Sequence, residues 1–304
     1  MKYIIFGNKG QLGKELTELL NSKGIEYLGY DLPDYDISNY KLISELITVQ
    51  APDVVLNCAA YNDVDLAELY YEDAYRANTA GVENLAIICE RNKIKLVHYS
   101  TDYVFDGIKD IAGIYVENDK TYPVNNYGKT KLQGEKLALA KCSNVLIFRT
   151  SWLYGDGERN FVNNVLKWAD GKEHIKVADN EFSIPTSTRL VADITLKAIN
   201  NNLTGLYHLV NTGYASRYDW AKLIIEQYEL DIIVYPAFSK DFLSIAKRPL
   251  FTVMNNEKIA SALQIEIPHW KTEFIDFVRR MKSQKSKEHP NLRQIRNETG
   301  IVEL

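Results

Sequence analysis

Cysteine is scarce in this chain of 304 residues, with Cys58, Cys89 and Cys142 each in an apolar segment and none in a CxxC or Cys/His ligand spacing. That argues against a disulfide framework and a thiolate zinc site, and it reads as buried free thiols in a reducing cytoplasm. Long apolar runs are missing as well. Nowhere do about 18 consecutive apolar residues occur, and the run Tyr3 to Phe6 is too short for a signal h-region, so no membrane partner and a cytoplasmic location are expected. Positive charge is not in excess either: 36 Lys and Arg against 40 Asp and Glu leave a net charge of -4. No global basic field gathers nucleic acid or an anionic membrane, so any anionic ligand has to be held by local groups. There is no internal repeat.

What is present is a length and an apolar content of 46% that allow a large buried core. The first half alternates short β-branched runs (Tyr3-Phe6, Ile25-Tyr30, Val54-Asn57, Leu96-Tyr99, Val145-Phe148) with longer periodic segments at about Leu12-Ser22, Tyr40-Val49, Glu72-Arg91 and Tyr127-Ala140. That rhythm predicts βαβ units and a Rossmann-like, doubly wound parallel α/β sheet, with ligands at the carboxyl ends of its strands. After Arg149 a turn-rich crossing, Trp152 to Gly157, leads to a helix around Phe161-Trp168 and a strand near Ile175-Val177. A helix at about Arg189-Asn200 and the strand Leu206-Leu209 are regular enough to rejoin the main sheet or cover its edge, and helices follow near Tyr218-Tyr228 and Trp270-Arg280. The expected organisation is a dinucleotide-binding domain of 1–150 plus about 189–212, and a smaller, discontinuous substrate domain of about 151–188 plus 213–281. From 282 to 304 the chain reads as a polar tail, surface-lying or disordered.

Gly7-Asn8-Lys9-Gly10-Gln11-Leu12-Gly13 directly follows the first strand and opens the first helix, so its glycines let the backbone turn tightly and approach a pyrophosphate lying on the helix N-terminus. Asp31, at the end of the second strand, stands near the interval expected for a carboxylate on the adenosine ribose. An acid there favours NADH over NADPH, whereas Lys9 can partly neutralise a 2'-phosphate; both cofactors stay open. Asp36 and Ile37 are candidates for the adenine contact, and Asp36 or Ser38 equally for capping the helix at Tyr40. At the third strand's end, Asn57-Cys58-Ala59-Ala60-Tyr61 offers small side chains past which a planar cofactor fits, or which simply pack tightly.

Tyr127 and Lys131 lie four positions apart on one helix face, so the ammonium can lower a phenol pKa of roughly 10 and let it pass a proton to a carbonyl oxygen. Tyr218 and Lys222 have the same spacing. Only the first pair follows a strand ending in hydroxyls, Ser100-Thr101-Asp102, and the second reads as a surface helix pair.

Several blocks together, Gly7-x-x-Gly10-Gln11-Leu12-Gly13, Asn57-Cys58-Ala59-Ala60-Tyr61-x-x-Val64-Asp65, His98 to Gly107 (His-Tyr-Ser-Thr-Asp-Tyr-Val-Phe-Asp-Gly), Asn126 to Lys131, Phe148-Arg149-Thr150-Ser151-Trp152-Leu153-Tyr154, Ile184-Pro185-Thr186-Ser187, Gly205-Leu206-Tyr207-His208-Leu209 and Lys247-Arg248-Pro249, resemble the extended short-chain dehydrogenase/reductase superfamily, and within it the dTDP-4-dehydrorhamnose reductases, over about residues 1 to 280. The resemblance implies hydride delivery from NADPH or NADH to C4 of a dTDP-linked 4-keto-6-deoxy sugar, dTDP-4-dehydro-6-deoxy-L-mannose. Tyr127 protonates the alkoxide, Lys131 binds the nicotinamide ribose and lowers the Tyr127 pKa, and Thr101 hydrogen-bonds the carbonyl oxygen. Asp102 and Trp152 match sugar-contacting positions, and Arg248 a position near the nucleotide diphosphate. Members of the family use Mg²⁺ at a dimer contact, which leaves a homodimer and Mg²⁺ open here; no clustered carboxylate motif names a ligand.

Two segments depart from the family pattern. Phe182-Ser183 replaces a common aromatic-Gly pair, and bulky apolar residues replace the polar pattern usual after Arg248-Pro249. These lie in the substrate half. The alternatives are a reductase or epimerase of another nucleotide sugar, or a cofactor-binding regulatory subunit, which predicts loss of a catalytic set that is here complete.

Overall fold

The computed structural model describes residues 1–109, 113–157 and 159–288. Its frame is a Rossmann-like sheet of β1 (Tyr3–Phe6), β2 (Tyr27–Tyr30), β3 (Val54–Asn57), β4 (Lys95–Thr101), β5 (Val145–Thr150) and β6 (Gly205–His208), all pairing in parallel. The spatial order is β6-β5-β4-β3-β1-β2. The winding reverses between β1 and β3, so the loops leaving those two strands diverge and open a crevice at their carboxyl ends.

Nine helices of seven residues or more are described: α1 (Gln11–Ser22), α2 (Tyr40–Gln50), α3 (Gly81–Asn92), α4 (Asn126–Lys141), α5 (Phe161–Ala169), α6 (Thr188–Asn200), α7 (Arg217–Gln227), α8 (Glu257–Leu263) and α9 (Trp270–Glu288). On one sheet face Leu12, Leu16 and Leu20 of α1 and Val191 and Ile194 of α6 pack against Tyr3 and Ile5. On the other, Ile43, Ile47, Val82 and Leu85 of α2 and α3 meet Ile4, Phe6 and Val55. With helices on both faces the central strands have no solvent side, and β1, β3, β4 and β5 are buried throughout. A separate core of Tyr154, Val165, Trp220, Trp270 and Phe274 gathers α5, α7 and α9 beyond the strand ends. α6 packs on the main sheet, and β6 pairs with β5.

Three local expectations give way. The helix expected over Glu72-Arg91 is broken into Tyr71–Tyr75, a π-helical turn Arg76–Ala80, and α3. Apolar periodicity does not register one extra residue in a turn, which is all a π-bulge requires. α2 is capped by neither Asp36 nor Ser38: Asn39 Oδ1 accepts from the Leu42 amide at 3.2 Å. α9 continues past Lys282 to Glu288, and Lys282 Nζ donates to Glu229 Oε1 at 2.7 Å; residues 289–304 of the expected tail lie outside the described residues.

α4 is unusual in what it buries. Its inward positions include Gly128, Thr130, Lys131, Gly134 and Glu135, a polar face that apolar burial alone would not hold. Gly134 lets the π-turn approach, since a Cβ there would stand 2.0 Å from the Asn78 carbonyl oxygen. Thr79 Oγ1 donates to the Thr130 carbonyl at 2.8 Å and Asn78 Nδ2 to Thr130 Oγ1 at 3.2 Å. From β5, Arg149 grips Glu135 with two nitrogens, Nε to Oε2 at 3.0 Å and Nη2 to Oε1, both side chains being 3% exposed. Arg149→Met leaves the Glu135 carboxylate buried and unpaired, so urea unfolding should report a loss of about 3–5 kcal/mol, most of it recovered in the Glu135→Leu/Arg149→Met double variant. An equal loss in both proteins would show that the pair does not carry this contact.

Candidate active site

At the β1/β3 reversal the three glycines serve different ends. Gly7 sits at φ +77°, and a Cβ on it would lie 2.6 Å from the Ala59 amide nitrogen; a Cβ on Gly13 would come 2.1 Å from the Gly7 carbonyl oxygen. Both are demanded by the chain's own packing. Gly10 is different: it has an ordinary φ of -71°, and a Cβ there would meet one atom at 3.3 Å and otherwise open space. It precedes the first turn of α1, which has no side-chain cap, so unclaimed amides face the crevice. The Asn8 Oδ1 and Ser100 Oγ atoms, at the loops after β1 and in β4, are buried without partners. An uncapped helix start, an open glycine and unpartnered polar atoms fit a dinucleotide.

The remaining predicted cofactor residues divide into two groups. Asp31 accepts from the Lys9 amide at 2.9 Å and the Leu32 amide at 2.8 Å, which fixes its carboxylate at the rim. Ala59, Ala60 and Tyr61 line the loop after β3, and Asn78 clasps it, accepting from the Tyr61 amide at 2.9 Å and donating to its carbonyl at 3.1 Å. The Gln11 side chain accepts from Asn160 Nδ2 at 2.8 Å, and Leu12 turns into the core, so these two offer a ligand their backbone amides. The Ile37 side chain is buried in the core against Gly81, so it has only its backbone to offer a ligand. Asp36 pairs with Arg76 at 2.8 Å and accepts from the Ser38 amide; burial pushes its carboxyl up, but these partners outweigh it and hold the pKa below the usual value.

At the chemical end Thr101 closes β4 and Tyr127 stands in the first turn of α4, its phenol near enough to the Thr101 hydroxyl to feel it. The start of α4 is set by Asn125, which accepts from the Gly128 amide at 2.8 Å and donates to the Lys247 carbonyl at 2.9 Å. Lys131 lies buried one turn on and donates to the Tyr99 carbonyl at 2.6 Å. The expected lowering of the phenol pKa is corrected. Burial drives Tyr127 well above the usual phenol range, and the Asp102 and Tyr103 charges add to that, against the Thr101 hydroxyl. Burial brings Lys131 down to about 8, with Glu135 and Cys58 opposing. The Tyr218–Lys222 pair lies on α7, away from this corner, with an exposed Lys222 whose ammonium rests 5.4 Å from the Tyr218 ring centroid.

Beyond the strand ends opens a cavity of about 1320 Å³, lined among others by Arg217, Arg248, Lys247, Trp168, Glu181 and Asp65. Arg248 pairs with Asp65 at 2.7 Å, and Arg217 with Glu181 at 2.6 Å. Trp152 holds a left-handed φ of +39°, a conformation costing about 1–3 kcal/mol for a bulky residue. Stacking holds it there: the Trp220 ring lies parallel at 5.8 Å and the Arg217 guanidinium 4.5 Å above. Asp102 is buried, and both carboxylate oxygens are engaged by Thr101, Ser183 and Thr252. Sequence reasoning missed Arg217, Glu181 and Asn78. Arg217 lies within the Ser216–Asp219 capping box, which marks a helix start but not the direction its first side chain takes.

The family described as the RmlD substrate binding domain matches residues 1–283. The chain belongs to that family. A dTDP-4-dehydrorhamnose reductase of Escherichia coli K12 is 35% identical over 289 residues, covering 89% of this chain and 94% of that protein. Among solved structures, the dTDP-4-dehydrorhamnose reductase of Clostridium acetobutylicum is 35% identical with a TM-score of 0.89, covering 93% of this chain and 100% of that one. The Bacillus anthracis reductase, solved in complex with NADP, is 32% identical with a TM-score of 0.87, covering 91% and 98%.

For this RmlD-family chain, the described residues gather no group of three or more His, Cys, Asp or Glu that would hold a metal, so no step is routed through Mg²⁺. No helix among them is long and apolar enough to cross a membrane. Two outcomes are expected. Gly10→Val should lower the thermal midpoint only slightly, for its one close contact with the Gly7 carbonyl oxygen at 3.3 Å, yet weaken NADPH binding by at least about tenfold in a fluorescence titration. Lys131 is charged below its pKa of about 8 while the Tyr127 phenol keeps its proton well beyond it, so reduction should fall as pH rises through that value. A rate profile flat to pH 10 would show that the ammonium plays no part.

Proposed function

We propose that the chain is an NAD(P)H-dependent reductase converting the C4 ketone of dTDP-4-dehydrorhamnose to the alcohol of dTDP-L-rhamnose. The observation that supports the reading is that Thr101 ends β4 and lies near Tyr127, with Lys131 buried one turn further along the same helix, in a fold that also has an open, uncapped helix start and a cavity edged by arginines. Residues 1–150 with 189–212 would hold the dinucleotide, and 151–188 with 213–281 the nucleotide sugar.

The nicotinamide, when bound, supplies the hydride. Gly10 and the first amides of α1 would seat the pyrophosphate, Asp31 the adenosine ribose, and Ala59 to Tyr61 would flank the cofactor's path. Thr101 donates to the ketone oxygen as charge gathers there. Tyr127 passes its proton to that oxygen. A phenol raised by burial is a reliable proton holder, and Lys131 supplies the positive charge that favours the phenolate left behind. Arg248 and Arg217 would exchange their carboxylate partners for diphosphate oxygens, which suit paired guanidinium donors. A cytoplasmic location and a homodimer belong to the same proposal.

The test mixes the protein with dTDP-4-dehydrorhamnose, formed in place by its 3,5-epimerase, and follows loss of NADPH or NADH absorbance. Turnover is expected with at least one, and none with either overturns the reading. Tyr127→Phe should cost at least about 10²-fold in kcat with cofactor binding retained, while Tyr218→Phe changes little; equal losses would show that the wrong tyrosine was chosen.

A further inference from the structure

Three hydroxyls meet on one buried carboxylate directly behind the reacting corner. Asp102 Oδ1 lies 3.1 Å from Thr101 Oγ1, while Oδ2 accepts from Ser183 Oγ at 2.8 Å and from Thr252 Oγ1. All four side chains are buried, so the chain itself must satisfy them. Thr101 has one proton, and in this structure it is directed at Asp102, while its oxygen already accepts from the Tyr103 amide at 3.1 Å. A hydroxyl whose proton points at a carboxylate has none for a developing oxyanion.

Ser183 and Thr252 come from outside the main sheet, from the two segments that depart from the family's sequence pattern. Ser183 lies on the short strand Phe182–Ser183, paired with Ala215–Ser216, and the Thr252 amide donates to the Phe182 carbonyl at 2.9 Å, so the two hydroxyls are held side by side. We infer that Ser183 and Thr252 are positioning residues that supply the hydrogen bonds Asp102 would otherwise draw from Thr101, freeing the Thr101 proton for the substrate oxygen. A carboxylate already accepting two charge-assisted bonds attracts a third donor less strongly. The substrate half thereby acts on the chemistry through a residue it does not touch.

The inference rests on the reduction proposed above, and its test separates the two. Thr252→Val and Ser183→Ala should each lower kcat about tenfold with the KM for NADPH unchanged, and Thr252→Ser should restore most of the loss. In a Thr101→Val background, Thr252→Val should cost less than about twofold, because its effect passes through the missing hydroxyl. Full additivity would overturn the inference. Crystal structures give a readout independent of turnover: without the Thr252 hydroxyl the Thr101–Asp102 contact should shorten from 3.1 Å toward about 2.7 Å. An unchanged distance in both variants overturns the inference even if the wild type is fully active, whereas a wild type without turnover overturns the reduction and leaves this distance to decide the rest.

Discussion

The ion pair between Arg149 and Glu135 is the constraint on which the reacting corner depends. A helix whose inward face carries Thr130, Lys131 and Glu135 beside only Leu132 and Ala138 has little apolar surface to hold it on a sheet, and every buried polar atom on it needs a partner. Arg149 supplies one from β5, its guanidinium also lying 5.1 Å from the Phe105 ring centroid. Glu135 in turn is one helical turn from Lys131, whose ammonium it helps keep charged against burial. The same guanidinium, with burial as the larger cause, drives the neighbouring His208 down to about 3, so that ring stays neutral and adds no second cation to the cluster. One contact thus sets both the position of α4 and the charge balance along it.

Much of the frame was legible because parallel βαβ units write themselves as alternating runs. The Thr101, Tyr127 and Lys131 set could be picked out because a strand-end hydroxyl and a helix-borne phenol are both local patterns. What escaped was non-local. The Ile37 side chain packs against Gly81, more than forty positions on, a contact that no local pattern announces. The π-turn at Arg76–Ala80 is invisible to periodicity, yet it places Asn78 where one side chain serves both the loop after β3 and α4. The pKa logic also changed sign: spacing showed a cation beside the phenol, whereas burial, a property of the whole fold, dominates.

The glycines teach a related lesson. Three in a fingerprint invite one explanation, but Gly7 and Gly13 answer to backbone contacts within the chain, and Gly10 alone leaves its space unfilled. Of the three, Gly10 is the one the fold itself would most readily release. The same sorting applies to the carboxylates: Asp31 is fixed at a rim by amides, while Asp102 is enclosed by hydroxyls and faces no open space.

Asn125 joins two ends of the site with one side chain, holding the first turn of α4 through its oxygen and the Lys247 carbonyl through its nitrogen. Tyr127 and Arg248 are each within two residues of those anchors. One side chain thus couples the start of the helix that carries Tyr127 to the segment that carries Arg248, so that a shift of either anchor is passed to the other.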